Sequence, residues 1–133
     1  MGAIRPALLI AFSIIVGPVG NVAYAQDWSH RTELKRTDLT GAPGTEVISS
    51  IVEVKPGEEV VRHVHHGVES GYVLDGAMIQ SPGKEHTMLE TGTAFVNLRD
   101  VPHGGYNVVG DKPLKLYTVH IVDKGKPLYD YVK

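Results

Sequence analysis

The sequence predicts an all-β fold, and three features of its 133 residues support that prediction. The first is a series of short segments rich in β-branched and aromatic residues, which favour strands. The second is that turn residues separate these segments at short intervals, and the chain has 15 glycines to form the turns. The third is that no segment after residue 26 repeats its apolar residues with the 3.6-residue period of a helix. These features together predict a sandwich or barrel of short strands.

The composition limits the classes of protein to which the chain can belong. A length of 133 residues suits one domain, and 42% hydrophobic residues suit a packed core. The formal charge of −2 gives no basic surface, so we expect no nucleic-acid partner. The chain has no cysteine, which excludes disulfides and thiolate metal ligands.

Residues 1–25 have the pattern of a secretory signal peptide. Arg5 is the only charged residue before Asp27, and residues 7–16 form an apolar run of ten. Ala23-Tyr24-Ala25 has the small-x-small pattern of a cleavage site. A membrane anchor is the competing interpretation, but a membrane span needs about 20 apolar residues. We therefore expect a periplasmic or secreted protein with no stable membrane anchor after cleavage.

The mature chain divides into an N-terminal arm, residues 26–44, and a β-barrel domain, residues 45–133. Within the first segment, residues 31–39 are expected to form either an arm or an edge strand. The strands predicted for the domain are residues 45–54, 60–65, 69–74, 77–80, 86–89, 93–98, 106–109 and 114–122. The tail, residues 125–133, is expected to pack on the outside of the barrel or on a neighbouring molecule.

Three potential metal ligands lie close together in the sequence, and they organise the functional prediction. Successive side chains of a strand alternate between its faces, so His63 and His65 point the same way, with Cβ atoms roughly 6–7 Å apart. Two imidazoles at that separation can converge on one ion at about 2.0–2.2 Å. Glu69 can face them from the next strand. By the same alternation His66 points away and is not counted as a ligand.

A fourth ligand is predicted far downstream, at His103, which follows a proline and precedes two glycines. Three imidazole nitrogens and one carboxylate suit one divalent transition metal, with positions left open for water or substrate. The four residues do not select among iron, manganese, nickel, copper and zinc. The competing interpretation is that the histidines form an exposed polar run on an edge strand or hydrogen-bonded residues of the barrel.

The spacing of these residues resembles the first motif of the cupin family, G-x5-H-x-H-x3-E-x6-G. Every defined position matches, and the matching residues are Gly57, His63, His65, Glu69 and Gly76. The second cupin motif is matched in part, by Gly92, His103 and Asn107. Leu98 and Asp100 occupy the positions of its proline and inner glycine, which is a departure from the family pattern.

The resemblance implies a single double-stranded β-helix, a jelly-roll barrel, with the metal inside and near its mouth. It also implies a homodimer, since small cupins commonly form dimers. Members of the family include dioxygenases, isomerases, lyases and decarboxylases, and the fold does not choose among them. We expect an exported metal-dependent enzyme of the dioxygenase or oxidoreductase type that acts on a small organic molecule. The alternative is a non-catalytic periplasmic protein that binds a metal or a small ligand.

The last predicted strand carries a candidate catalytic residue, His120. Its residues alternate in two sets, and only one set faces the interior. If the set with His120 does, this histidine lies near the metal and can move a proton or bind an anionic substrate; otherwise it faces solvent. Further pocket candidates are Phe95, Met78, Gln80 and Tyr106. Tyr72 and Trp28 are candidates for a dimer interface, and the histidines interpreted as surface residues are His30, His66 and His86.

Overall fold

The computed structural model of the protein describes Trp28 and residues 30–133. All regular secondary structure in this part of the chain is β-strand, so the all-β prediction is confirmed. The signal peptide predicted for residues 1–25 lies outside the described residues. Over the described residues, no helix is long enough and apolar enough to cross a membrane.

Eleven strands follow one another along the described residues. They are β1 (Arg31–Asp38), β2 (Thr45–Val54), β3 (Glu59–Val60), β4 (His63–Val64), β5 (Gly67–Asp75), β6 (Ala77–Gln80), β7 (Thr87–Leu89), β8 (Ala94–Asn97), β9 (Tyr106–Val109), β10 (Leu114–Asp123) and β11 (Asp130–Tyr131). Strands β2, β6 and β9 begin and end at the residues predicted from the sequence.

Two larger sheets and a strand pair make up the fold, and all strand pairs are antiparallel. A five-stranded sheet has the order β1-β2-β10-β5-β8, and a four-stranded sheet has the order β3-β9-β6-β7. The remaining pair joins β11 to β4. Alternate residues of β2 and β10 are buried, which is the pattern of a sheet with one face on an interior.

Strand β10 shows how the interior is divided between an apolar core and a polar site. Leu114 and Leu116 belong to a core cluster with residues of both larger sheets, namely Val52, Val54, Val60, Val73, Ala77 and Val108. Burying one such valine or leucine side chain contributes roughly 1.5–3 kcal/mol to folding. Further along the same strand face, Thr118 and His120 are both 0% exposed. The polar site therefore begins where the apolar core ends.

Strand β1 lies in the segment interpreted as an N-terminal arm, and of the two forms expected there it adopts the edge strand. Its residues after Arg31 are all exposed. Charged side chains protect this free sheet edge from pairing with other chains. Arg36, for example, donates a hydrogen bond of 2.6 Å to Glu46 on β2.

The strand predicted over residues 60–65 is interrupted, because its two halves pair with different partners. Val60 pairs with Tyr106 in the four-stranded sheet, whereas His63 pairs with Tyr131. Val61 and Arg62 carry the chain from one partner to the other and belong to neither strand.

The expectation that residues 125–133 pack on the outside or on a neighbour is wrong for Tyr129, whereas Asp130 and Tyr131 are exposed. In this tail, β11 pairs with β4, the strand that begins at His63. Tyr129 is only 5% exposed, and its ring contacts those of His63 and His65 at centroid distances of 4.9 and 5.2 Å. The tail therefore forms one wall of the interior beside the predicted metal ligands.

Candidate metal centre

The predicted alternation around His63 is present in the structure. His63 and His65 are buried on the same side, with ring centroids 4.8 Å apart. His66 turns away from them, and its two ring nitrogens lie 3.1 Å from carboxylate oxygens of Asp100 and Asp130. His66 is therefore not a candidate ligand, as the sequence indicated, although it is more closely packed than a free surface residue.

His103 is brought to this pair by a β-bridge with His63. The backbone N–H of His63 donates to the carbonyl of His103 at 3.0 Å, and the N–H of His103 donates back at 2.9 Å. The two rings then lie with centroids 4.4 Å apart. The structure thus unites the first-motif histidines with the histidine of the second motif.

The three histidines share a hydrogen-bonding arrangement that fixes which ring nitrogen carries the proton of the neutral ring. Each ring hydrogen-bonds through Nδ1 to a backbone carbonyl oxygen: His63 to Val61 at 2.6 Å, His65 to Leu128 at 2.5 Å, and His103 to Val101 at 3.0 Å. A carbonyl oxygen only accepts hydrogen bonds, so the proton of each neutral ring is on Nδ1. The lone pair is consequently on Nε2, the arrangement by which second partners orient metal-bound histidines.

Whether these residues fit a metal depends on the position and the pairing of their Nε2 atoms. One ligand atom each from His63, His65 and His103 lies within 4.8 Å of the others. The Nε2 atoms of His65 and His103 are buried, and neither has a hydrogen-bond partner among the described residues. Leaving a buried polar group unpaired costs about 1–3 kcal/mol. A metal ion held by these lone pairs would remove that cost, so the residues fit one.

Glu69 on β5 brings a carboxylate close to two of these histidines. Its Oε2 lies 3.3 Å from Nε2 of His65 and 3.4 Å from Nε2 of His103. Charge-assisted hydrogen bonds are shorter, about 2.7–2.9 Å. The carboxylate and the imidazoles thus approach one point without forming good hydrogen bonds to each other. The amide of Asn97, which is opposite Glu69 on β8, donates to the same oxygen at 2.7 Å and orients it.

The surroundings of Glu69 and His63 favour the protonation states in which these two residues bind a metal. Burial raises the pKa of Glu69, but the close approach of His103, His120 and His65 outweighs it and holds that pKa well below its usual value. Burial lowers the pKa of His63 from 6.5 to about 4. At neutral pH the carboxylate is therefore ionised and the His63 ring is neutral, and both forms bind metals.

His120 faces the interior, which is one of the two orientations expected from the sequence. It pairs with Glu69 across β10 and β5, and its Nε2 lies 3.4 Å from Oε1 of Glu69. Neither ring nitrogen has a hydrogen-bond partner among the described residues, and burial lowers the pKa of the ring. With His65 and Glu69 it forms a second, overlapping group of potential ligands. Its catalytic role stays a prediction.

A cavity of about 230 Å³ opens beside the candidate ligands and includes His63, Glu69 and His103 in its wall. Its other walls are mostly apolar, with Phe95 and Tyr106 among them as expected. Met78 and Gln80 were also expected there, but neighbouring Ile79 lines the cavity instead.

Sequence reasoning missed several contributions to the site besides Ile79. Four of them are the cavity-lining side chains of Trp28, Asn97 and Tyr129 and the carbonyl of Leu128. Asn97 could have been found, because it is two residues beyond Phe95 on a predicted strand and must share its face. The other three depend on how the two ends of the domain fold back, for which the sequence carries no local signal.

Asp100, which occupies the inner glycine position of the second motif, takes over the backbone role of that glycine. It has a φ of 57°, in the left-handed region where glycine is favoured and aspartate is tolerated. Its backbone N–H donates to the carbonyl of His65 at 3.0 Å, and its side chain contacts His66. Leu98, at the proline position, is 60% exposed and does not touch the site's interior.

Fold and site together define a small β-barrel protein with a cluster of histidines and a glutamate that can hold a metal. The sequence matches the Cupin domain family over residues 50–120, more than half of the chain, including all four predicted ligands. The chain belongs to the cupin family. Significant matches to curated proteins are absent.

Solved structures support the same fold. A double-stranded β-helix protein from Klebsiella pneumoniae is 17% identical, with 87% of this chain and 99% of that one covered at a TM-score of 0.53. A cupin-like protein from Thermotoga maritima is 22% identical, with 77% and 74% covered at a TM-score of 0.53. The polyketide cyclase RemF from Streptomyces resistomycificus is 22% identical, with 81% and 86% covered at a TM-score of 0.52. The predicted double-stranded β-helix is confirmed, and at these identities the likeness concerns the fold alone.

Proposed function

We propose that this cupin binds one divalent transition metal and is a metal-dependent enzyme acting on a small organic molecule. The proposed ligands are His63, His65, Glu69 and His103. The observation that carries the proposal has two parts: ligand atoms of the three histidines lie within 4.8 Å of one another beside a cavity, and the buried, unpaired Nε2 atoms of His65 and His103 lie next to the carboxylate of Glu69. A structural cluster of histidines would pair these nitrogens with protein groups instead.

The reaction class that we propose is that of an oxygenase or a related oxidoreductase. Three imidazole nitrogens and one carboxylate form a shell that redox-active metals accept. A bound ion would supply Lewis acidity or redox chemistry to a ligand at its open positions.

The residues around the shell have separate roles in this proposal. Asn97 orients the carboxylate of Glu69, and backbone carbonyls hold the three rings in one tautomer. Burial, together with the charge of Glu69, raises the pKa of the cavity-lining Tyr106 to about 12. Its phenol therefore keeps its proton at neutral pH and can donate a hydrogen bond to a ligand.

The test of this proposal compares metal content with turnover. The protein is purified without chelators, analysed for metal, and reloaded separately with iron, manganese, nickel, copper and zinc. Oxygen consumption is then followed on a panel of small organic molecules, with zinc as the redox-inactive control. We expect near-stoichiometric metal and oxygen uptake with at least one redox metal. Saturable binding of a small molecule without turnover by any loaded form would favour the non-catalytic binding protein instead.

We also propose that the protein is exported to the periplasm or beyond. The support is the apolar run of residues 7–16 followed by Ala23-Tyr24-Ala25. Mass spectrometry of protein recovered from the exported fraction should find Gln26 at the N-terminus. Recovery of the full chain from Met1 in membrane extracts would contradict cleavage.

A further inference from the structure

The cavity beside the metal ligands has walls that indicate what it accepts. Its apolar lining includes Trp28, Ile79, Leu89, Phe95, Leu116 and Tyr129, which come from several elements on different sides. Polar groups of its wall include the predicted ligands and Asn97, which is paired with Glu69 across β8 and β5, and also Thr93 and the phenol of Tyr106. The cavity is thus polar at the end that meets the metal ligands and mostly apolar elsewhere.

No lysine or arginine is among the described residues that line the cavity. An anionic group away from the metal end would therefore meet mostly apolar side chains and no cationic partner in the wall. Moving a charged group from water into such surroundings without a partner is strongly unfavourable. The cavity is consequently unsuited to phosphates and to molecules with a carboxylate far from the metal end.

The volume of about 230 Å³ limits the size of the ligand. An apolar protein cavity of about 150 Å³ is known to bind benzene. Sites for drug-sized ligands begin at about 300 Å³. The cavity can therefore enclose one ring with a few substituents, and it is too small to enclose a whole drug-sized molecule.

We propose that the substrate is a small monocyclic molecule with an uncharged apolar body and an oxygen-bearing end that faces the metal ligands. This inference rests on the proposed function, because it takes the metal as the partner of the polar end. It adds that the body of the substrate is recognised by apolar contact and not by charge.

Trp28 provides a direct measurement, because it lines the cavity and is the only tryptophan of the chain. Its fluorescence is followed in zinc-loaded protein during titration with three hydroxamates that share one metal-binding group. Benzohydroxamate is expected to bind about 10- to 100-fold more tightly than acetohydroxamate, because it buries a ring. The 4-carboxy derivative of benzohydroxamate is expected to bind at least about 10-fold more weakly than the parent compound. Equal affinities for the three compounds, or tightest binding of the carboxylated one, would overturn the proposal.

A matched pair of variants tests whether the cavity wall causes the preference for the uncharged ligand over the carboxylated one. Ile79→Lys places a cation in the cavity wall and should shift the affinity ratio about 10-fold toward the carboxylated compound. Met88→Lys, at a 44% exposed position on the adjacent strand, should leave the ratio as in the wild type. A shift in relative affinity does not arise from partial unfolding, which weakens both ligands alike. An unchanged ratio in Ile79→Lys would contradict the assignment of the cavity.

Metal analysis of the same samples separates this inference from the proposed function. Protein that retains no zinc contradicts the metal site, and the cavity is then tested alone with phenol and benzoate by the same fluorescence signal. Binding of neutral phenol in preference to benzoate would support the apolar cavity even then, and the reverse preference would overturn it.

Discussion

The imidazole of His65 hydrogen-bonds to the backbone carbonyl of Leu128, 63 residues further along the chain. No side chain of the tail is needed for this contact, which fixes the ring so that Nε2 faces Glu69. The tail thereby orients a predicted metal ligand. Loss of such second partners typically lowers metal affinity 10- to 100-fold.

Deletion of residues 128–133 should therefore weaken metal binding. We expect zinc affinity, measured by competition with a chromogenic chelator, to fall about 10- to 100-fold. Deletion of Lys133 alone is the matched control and should leave the affinity unchanged, because the carbonyl of Leu128 remains. Equal affinities of the two deletions would show that the tail does not orient His65.

Replacing a predicted ligand should reduce both metal content and thermal stability. His65→Ala and His103→Ala each remove an Nε2 lone pair, and metal that binds only the native state stabilises it by mass action. Metal analysis of the purified variants and melting curves with and without added zinc measure the two effects. A variant that carries both His65→Ala and His103→Ala and still holds as much metal as the wild type would contradict the assignment of these ligands.

His66→Ala is the control for the ligand variants. Its ring contacts Asp100 and Asp130 and points away from His63 and His65, so metal content should stay at the wild-type level. The melting temperature should fall only slightly, because each partly exposed hydrogen bond contributes about 0.5–1.5 kcal/mol. A loss of metal as large as that of His65→Ala would mean that the strand register is different.

The metal-free protein should lose stability as the pH falls from about 6.5 to 4. The pKa of His63 is lowered by burial from 6.5 to about 4, so in this window the unfolded chain binds a proton that the folded protein does not. At 1.36 kcal/mol per pKa unit, His63 alone accounts for about 3 kcal/mol. Glu69, with its lowered pKa, acts in the same direction at lower pH.

Urea unfolding at a series of pH values measures this dependence, and His63→Gln is the matched variant. Burial lowers the pKa of His103, but its contacts with Glu69 and Val101 raise it overall. The stability that His103 contributes is therefore complete below 6.5 and is lost as the pH rises above it, outside the window. The His63→Gln variant should lose less stability than the wild type between pH 6.5 and 4. An unchanged slope of stability against pH would exclude His63 as the source of the dependence.

The outer face of the five-stranded sheet predicts a homodimer. Tyr72 and Tyr117 are paired across β5 and β10, and with Val96 and Ile121 they leave large apolar side chains 37–60% exposed. Exposed apolar patches of this kind commonly mark protein interfaces. Light scattering should find a dimer in the wild type and a monomer in Tyr72→Glu. Val101→Glu, at an exposed position outside the strands, should remain dimeric, and a monomeric wild type would contradict the prediction.

Local pattern was sufficient to predict the strands that stay in one sheet. The run of β-branched residues between two turns gave β2 its bounds at Thr45 and Val54, and alternation placed His63 and His65 on one side. The interruption after Val60 could not be predicted, because it depends on a change of pairing partner and not on the residues of the strand.

The candidate site could be predicted where its residues occupy the fixed spacing of the two cupin motifs. The positions of His63, Glu69 and His103 followed from the motifs. The closing of the site by Tyr129 is a contact between distant parts of the chain, and nothing near that residue in sequence indicates it. At Asp100 the motif departs from the family, yet the backbone conformation is that of the expected glycine, since aspartate tolerates it.

The pairing of β11 with β4 also sets the order of events during synthesis. A ribosome releases His63 and His65 long before the tail, so the carbonyl of Leu128 orients His65 only after the last strand has been made and has folded back. A chain that crosses a membrane unfolded would carry no firmly held ion with it. The metal would then be chosen by the concentrations in the compartment where folding finishes, and not by affinity in the cytosol.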